Sequence, residues 1–251
     1  MSTNSTSDFA QHDLDRERVV AALTELTAAS TFNLTSLRVP ENFNNLCVRL
    51  GYVLTDVIAL THVLLMVDEG VRSQTERLGD SKIPVEIRIQ RHIAAANHEL
   101  PAIDRLAVIY KAIFFSLRSL QDLAYAILLE LSGQKAGSGT SMSKCFKSKG
   151  DNNPILLRIK TEIALYELWF TRFRDLRNEL KTGRGHGLTS SNGQIKVGLS
   201  LQRGSSVEGI ALIGLPDIVE AIEMSTSLFK LMKSICQSMQ GKIDTGTRQP
   251  L

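Results

Sequence analysis

Residues 174–187 read RDLRNELKTGRGHG and set an arginine-rich helix end against a glycine-punctuated stretch with one histidine. At 100° per residue, with Phe173 at zero, Tyr166 falls at about 20°, Arg177 at about 40° and Phe170 at about 60°. Arg177 therefore shares the apolar stripe of its helix. An unpaired charge buried there is costly. The guanidinium must meet a carboxylate, a carbonyl or a phosphate, or else run outward with its aliphatic stem over Phe173 or Tyr166. Gly183, Gly185 and Gly187 predict that the chain leaves the helix as a loop, since glycine accepts backbone angles that other residues avoid. Such a loop would carry Arg184 and His186 back toward Arg177 and Asn178.

These residue types suit RNA cleavage without a metal or other cofactor. A histidine titrates near working pH, so it can take the 2′-hydroxyl proton or give one to the leaving 5′-oxygen. An arginine stabilises the charge that grows on the phosphate oxygens. The plainer alternative is an exposed loop histidine with no role. Other candidates are weaker. His92 and His98 stand six apart, on opposite sides of a helix, a poor metal pair. His62 sits among Thr61, Val63 and Leu64 and reads as a core histidine. Gln121 and Asp122 fall on or near the polar side of their helix, where support for Arg177 is open. The glycines of 133–154 lack the Gly-Lys-Ser/Thr ending of a phosphate loop.

The elements that must position this stretch are helical. Residues 13–30 carry Leu14, Val19 or Val20, Leu23 and Leu26 at helical spacing. A long apolar helix follows, opened by Pro40 and closed at Gly70, and a third helical stretch runs over 84–99. From Ile103 to Leu131 apolar residues step by three or four without interruption. Residues 133–154 read as a loop. The next helix runs from Pro154 to Lys181 on the stripe Ile159, Ile163, Tyr166, Phe170, Phe173 and Leu180. Ile195, Val197, Leu199 and Leu201 then alternate at period two, turn at RGSS and return through VEGIALI, a β-hairpin over 194–213. A last helix begins near Leu215. The fold class is all-α: a bundle of about six helices with a β-hairpin inserted before the last. Polar tails are expected over 1–12 and 241–251, a helical layer over 13–100 and the main helical domain over 101–240, with no linker separating two cores.

Charge is uneven. Residues 133–160 hold six basic side chains against Asp151 alone, and residues 172–186 hold five against Asp175 and Glu179, in a chain of formal net charge +3. If the two segments meet, Lys144, Lys147, Lys149, Arg174, Lys181 and Arg184 form a basic face suited to a polyanion. A solvated lysine loop is the alternative. Three scattered cysteines argue against a disulfide framework, with Cys47 and Cys236 read as buried small hydrophobes and Cys145 in the lysine-rich loop. The longest apolar run, Tyr52 to Val67, is interrupted by Asp56 and His62 and falls short of the roughly 20 residues a span requires. The expectation is a soluble, cytoplasmic protein with no membrane partner.

The long helix pair, LRN at a helix end, a nearby HG, then a hairpin and a closing helix together resemble the HEPN-type domains. The RNELKTGRGHG run is most similar to the C-terminal domain of abortive-infection proteins within that group. The resemblance covers residues 100–240. It implies that Arg177, its polar neighbour Asn178 and His186 form the working site, often at a homodimer interface. It also implies RNA cleavage in phage defence or a toxin–antitoxin system, with an antitoxin or defence component as a further partner. Eight residues separate Arg177 from His186 where the family has four to six, and Thr182 stands at the shorter spacing. The resemblance therefore leaves two functions open, a ribonuclease and a non-catalytic relative that binds protein or nucleic acid.

Overall fold

The computed structural model describes residues 10–31, 41–77, 102–137, 140–147, 154–181, 184–191, 194–203 and 206–244. Among these residues, seven helices and three strands follow one another. Helix α1 is Ala10–Ser30, α2 Glu41–Arg77, α3 Ala102–Leu131, α4 Met142–Lys147, α5 Pro154–Glu162, α6 Tyr166–Leu180 and α7 Leu215–Asp244. The strands β1 (Arg184–Ser191), β2 (Gln194–Arg203) and β3 (Ser206–Gly214) lie between α6 and α7. The class is the one expected, a helical fold with an antiparallel hairpin inserted before the last helix. The helical stretch expected over 84–99, with His92 and His98, lies outside the described residues.

Several boundaries differ, for local reasons. Helix α1 begins at Ala10, so the polar tail does not reach His12, which is buried. Helix α2 passes through Gly70 and ends at Arg77, since a helical glycine in open space costs only about 1 kcal/mol. Within the expected 133–154 loop, Met142–Lys147 is helical. Its first amide, Met142 N–H, donates to Asp122 Oδ1 at 2.8 Å. The helix expected over 154–181 is broken between α5 and α6, where Leu165 takes a left-handed φ of 60°. Ile159, Ile163, Tyr166, Phe170 and Phe173 are all buried across that break, so the stripe conceals it. Helix α7 extends to Asp244, four residues into the expected C-terminal tail.

The described chain forms two compact units, each assembled from three stretches. The first comprises Met1–Ala21, Ile58–Phe115 and Asp175–Glu220; the second comprises Ala22–Val57, Ser116–Arg174 and Ala221–Leu251. The first unit holds the sheet, in order β1-β2-β3 and antiparallel throughout. Ile195, Val197, Leu199 and Ile213 are buried while Ile210 and Leu212 are exposed, the alternation that period two requires. At the sheet-to-helix junction Gly214 N–H donates to Asp217 Oδ2 at 2.8 Å, half of a capping box at the start of α7. A Cβ on Gly214 would stand 3.2 Å from Lys196 Cγ, so only glycine fits without displacing that side chain.

The second unit is aromatic and polar at once. Tyr166, Trp169, Phe170 and Phe173 are buried in it, with Trp169 stacked on Phe173 at 4.9 Å and Phe146 tilted against Phe170 at 5.3 Å. Helix α3 ends in this unit with a Schellman motif. Gly133, at φ 76°, donates to Glu130 O at 3.1 Å, and Gln134 N–H donates to Leu129 O at 2.9 Å.

Two described helices are long and apolar enough to cross a membrane by length and composition, residues 42–73 of α2 and 105–131 of α3. The interruptions at Asp56 and His62 do not shorten the first below that limit. The α3 window is 72% buried, as in a core helix, whereas the α2 window is 22% buried. Tyr52 and Met66 on α2 are 71% and 75% exposed. His62 is exposed on the same helix, not held in a core as its neighbours suggested.

Candidate functional site

Arg177 and Asn178 lie in the last turn of α6, within the first unit. The guanidinium of Arg177 lies over Phe115 of α3, its carbon 4.7 Å from the ring centroid. Its Nη1 donates to Asn178 Oδ1 at 3.0 Å. Its Nε is buried without a hydrogen-bond partner. Among the described residues no carboxylate forms an ion pair with Arg177. Other arginines are committed to carboxylates: Arg16 to Asp68 at 2.9 Å, Arg72 to Asp13 at 3.2 Å, Arg158 to Glu162 at 2.6 Å and Arg118 to Asp122 at 2.9 Å.

His186 does not lie in a loop. Residues 184–191 form β1, an edge strand of the sheet. Gly185 pairs with Leu199 and Gly187 with Gly198, the neighbouring residue of β2, so His186 is the extra residue of a β-bulge. The glycines read as loop-formers here, Gly185 and Gly187, flank the bulge. Bulges leave one residue out of the ladder and bend the strand, a device common beside active sites.

The other basic residues divide between the units. Lys181 and Arg184 belong with Arg177 in the first, and Arg174, Lys144 and Lys147 in the second. Lys181 is exposed and Arg174 half-buried. The side chains of Lys144, Cys145, Lys147, Arg184 and His186, and all of Lys149, lie outside the described set.

Two buried polar clusters were not singled out from the sequence. In the first unit His12 and Asp68, 1% and 2% exposed, meet at 2.8 Å from Nε2 to Oδ2. Arg16 donates to the same Asp68 oxygen at 2.9 Å, and Gln194 Nε2 donates to the neighbouring buried Asp15 at 2.7 Å. These bonds tie α1 to α2 and to the start of β2. With His12, Asp15 and Asp68 buried and Arg16 and Gln194 at its edge, the cluster holds these elements together. Nearby, Tyr110 is fully buried and its hydroxyl is pushed well above the usual range, first by burial and then by the charges of Asp68 and Asp217.

In the second unit Gln121 is fully buried, not on the polar side of its helix. It accepts from Tyr166 Oη and donates through Nε2 to Ser225 Oγ at 2.5 Å. Asp122 pairs with Arg118, whose guanidinium lies 4.4 Å from the Phe170 centroid. Cys236 is buried and Cys47 half-buried, and burial pushes both thiols up to about 11. Among the described residues no three His, Cys, Asp or Glu side chains gather as a metal site would require. No protein-family model, no curated protein and no solved structure matches the chain.

Proposed function

We propose that this chain is an HEPN-like protein of bacterial defence, in abortive infection or a toxin–antitoxin system, that cleaves RNA without a metal. The observation that carries the reading is Arg177. Its charge is held against an aromatic ring, with no carboxylate partner among the described residues and one buried donor unsatisfied. An arginine so kept is ready for an external phosphate. Arg177 then stabilises the negative charge on the phosphate oxygens as the RNA 2′-oxygen attacks phosphorus and the 5′-oxygen leaves. His186, out of the ladder on the bulge nine residues later, takes the 2′-hydroxyl proton or gives one to the leaving 5′-oxygen, and water exchanges the other proton. Asn178 orients the guanidinium through its hydrogen bond. Lys181 and Arg184, just past the end of α6 and at the start of β1, extend positive charge along the same stretch of the first unit. The reading places the protein in the cytoplasm, as a homodimer or with an antitoxin-like partner, and the exposed apolar side chains of α2 are the surface such a partner would cover.

One observation favours a second reading. His186 is fixed in a paired edge strand at a longer spacing than the family uses, which suits a non-catalytic relative that binds RNA or protein. A single experiment separates them. A mixed RNA pool is incubated in EDTA with the parent, Arg177→Ala and His186→Ala. Cleavage by the parent and loss in both variants supports the ribonuclease. Equal background in all three overturns it.

A further inference from the structure

We infer that Phe115 is the positioning residue of this site: its ring holds the Arg177 guanidinium flat so that one N–H edge is kept for a phosphate oxyanion. The inference rests on the reading of Arg177 given above and adds a residue of α3, 62 positions earlier in the chain, that no motif marks.

A guanidinium laid on a ring uses its face for the cation–π contact and keeps its donors in the plane. Three nitrogens share that plane. Nη1 is occupied by Asn178 Oδ1 at 3.0 Å. The Nε and Nη2 hydrogens point together along a second edge, the side-on fork that matches two oxygens of a phosphate. Nε is buried and without a hydrogen-bond partner, so that edge carries an unmet demand for an acceptor. Phe115, half-buried on α3 in the same unit, lies under the group with its centroid 4.7 Å from the guanidinium carbon. A charged hydrogen bond made in such a half-dry place is stronger than one made in bulk water. Without the ring the side chain regains its rotamers and the edge loses its aim. A monoanionic phosphodiester and inorganic phosphate both present the paired oxygens that this edge takes.

The test follows the arginine itself. Protein labelled with ¹⁵N-arginine is titrated with inorganic phosphate and with a short single-stranded RNA, and the Arg177 Nε–H signal is assigned by its absence in Arg177→Lys. In the parent this signal moves on adding phosphate. Phe115→Leu keeps an apolar side chain on α3 and binds phosphate roughly threefold to thirtyfold more weakly, the range of a cation–π contact. Phe115→Tyr restores binding, which a merely space-filling role would not require. A parent signal indifferent to phosphate and RNA overturns the inference. So does a Phe115→Leu variant that binds like the parent, or a Phe115→Tyr variant as weak as Phe115→Leu. Failure here is separable from failure of the ribonuclease reading. RNA cleavage that survives Phe115→Leu with binding unchanged removes the role of Phe115 alone. Phosphate binding that depends on Phe115 in a protein that cuts no RNA removes the ribonuclease alone.

Discussion

Arg118 and Arg177 each lay a guanidinium on a phenylalanine ring, at 4.4 Å over Phe170 and 4.7 Å over Phe115. The local chemistry is nearly the same, yet the surroundings assign different work. Arg118 is 6% exposed, and Asp122, one turn along α3, answers its charge at 2.9 Å. That aspartate also accepts the first amide of α4, so the pair anchors a helix to its neighbour. Arg177 has an amide, Asn178, where Arg118 has a carboxylate. Each arginine keeps one buried nitrogen that makes no hydrogen bond, Nη1 in Arg118 and Nε in Arg177, but only the first has a carboxylate among the described residues to answer its charge. Stacking on an aromatic ring therefore does not by itself mark a site. The difference lies in what answers the charge.

Arg118→Met keeps an apolar side chain against Phe170 but removes the ion pair with Asp122. Loss of about 3 kcal/mol is expected, the low end for a broken buried pair because Asp122 is partly wet. A urea midpoint close to the parent's would show that the pair anchors nothing. Gln121→Leu tests the polar network beside it. It leaves the Tyr166 hydroxyl without its acceptor and Ser225 without its Gln121 donor, and is expected to cost about 2 kcal/mol in the same measurement.

The first unit has its own buried polar groups, and Tyr110 reports on them through pH. Its hydroxyl is raised well above the usual tyrosine range in the folded state, so the stability it contributes is full below about pH 10. Above that the unfolded chain loses the phenolic proton while the folded one keeps it. Stability then falls by about 1.4 kcal/mol per pH unit from this group alone, until the folded hydroxyl itself ionises. Tyr110→Phe is expected to flatten the alkaline limb of the stability profile, read by urea unfolding at successive pH values. A limb unchanged by the substitution would contradict the burial assigned to this hydroxyl. The smallest expected effect belongs to Arg177. Arg177→Ala strands no carboxylate among the described residues, and it removes one unsatisfied buried donor along with the Phe115 contact, so stability should shift by no more than about 0.5 kcal/mol.

Much of the fold was legible because its signals are local and periodic. The three-or-four step from Leu106 to Leu131 became α3, and the alternation of Ile195, Val197 and Leu199 became the central strand β2. The break at Leu165 was not legible, because a buried stripe continues through it and no glycine or proline marks it. Strand β1 was hidden for the opposite reason. Its residues, RGHGLTSS, carry glycines and no apolar alternation, as an edge strand can when its partner supplies the pattern. The division into two units left no trace in composition, since it cuts through helices and not at a linker.

Of the site, the wheel correctly set Arg177 apart from the solvent face, but the ring it covers lies on another helix. Periodicity within one helix cannot name a contact 62 residues away. The His12–Asp68 pair shows the same limit, since its partners are separated by 56 residues and each alone looks like an ordinary polar position.

Arg177 is held for an external phosphate and not for the fold. The direct test measures RNA cleavage in EDTA and the urea midpoint together, for the parent and Arg177→Ala. Arg177→Ala is expected to keep a midpoint within error of the parent and to lose cleavage on the order of 100-fold or more, the scale of losing a transition-state charge donor. A variant that unfolds early, or one that cuts RNA as the parent does, would contradict it.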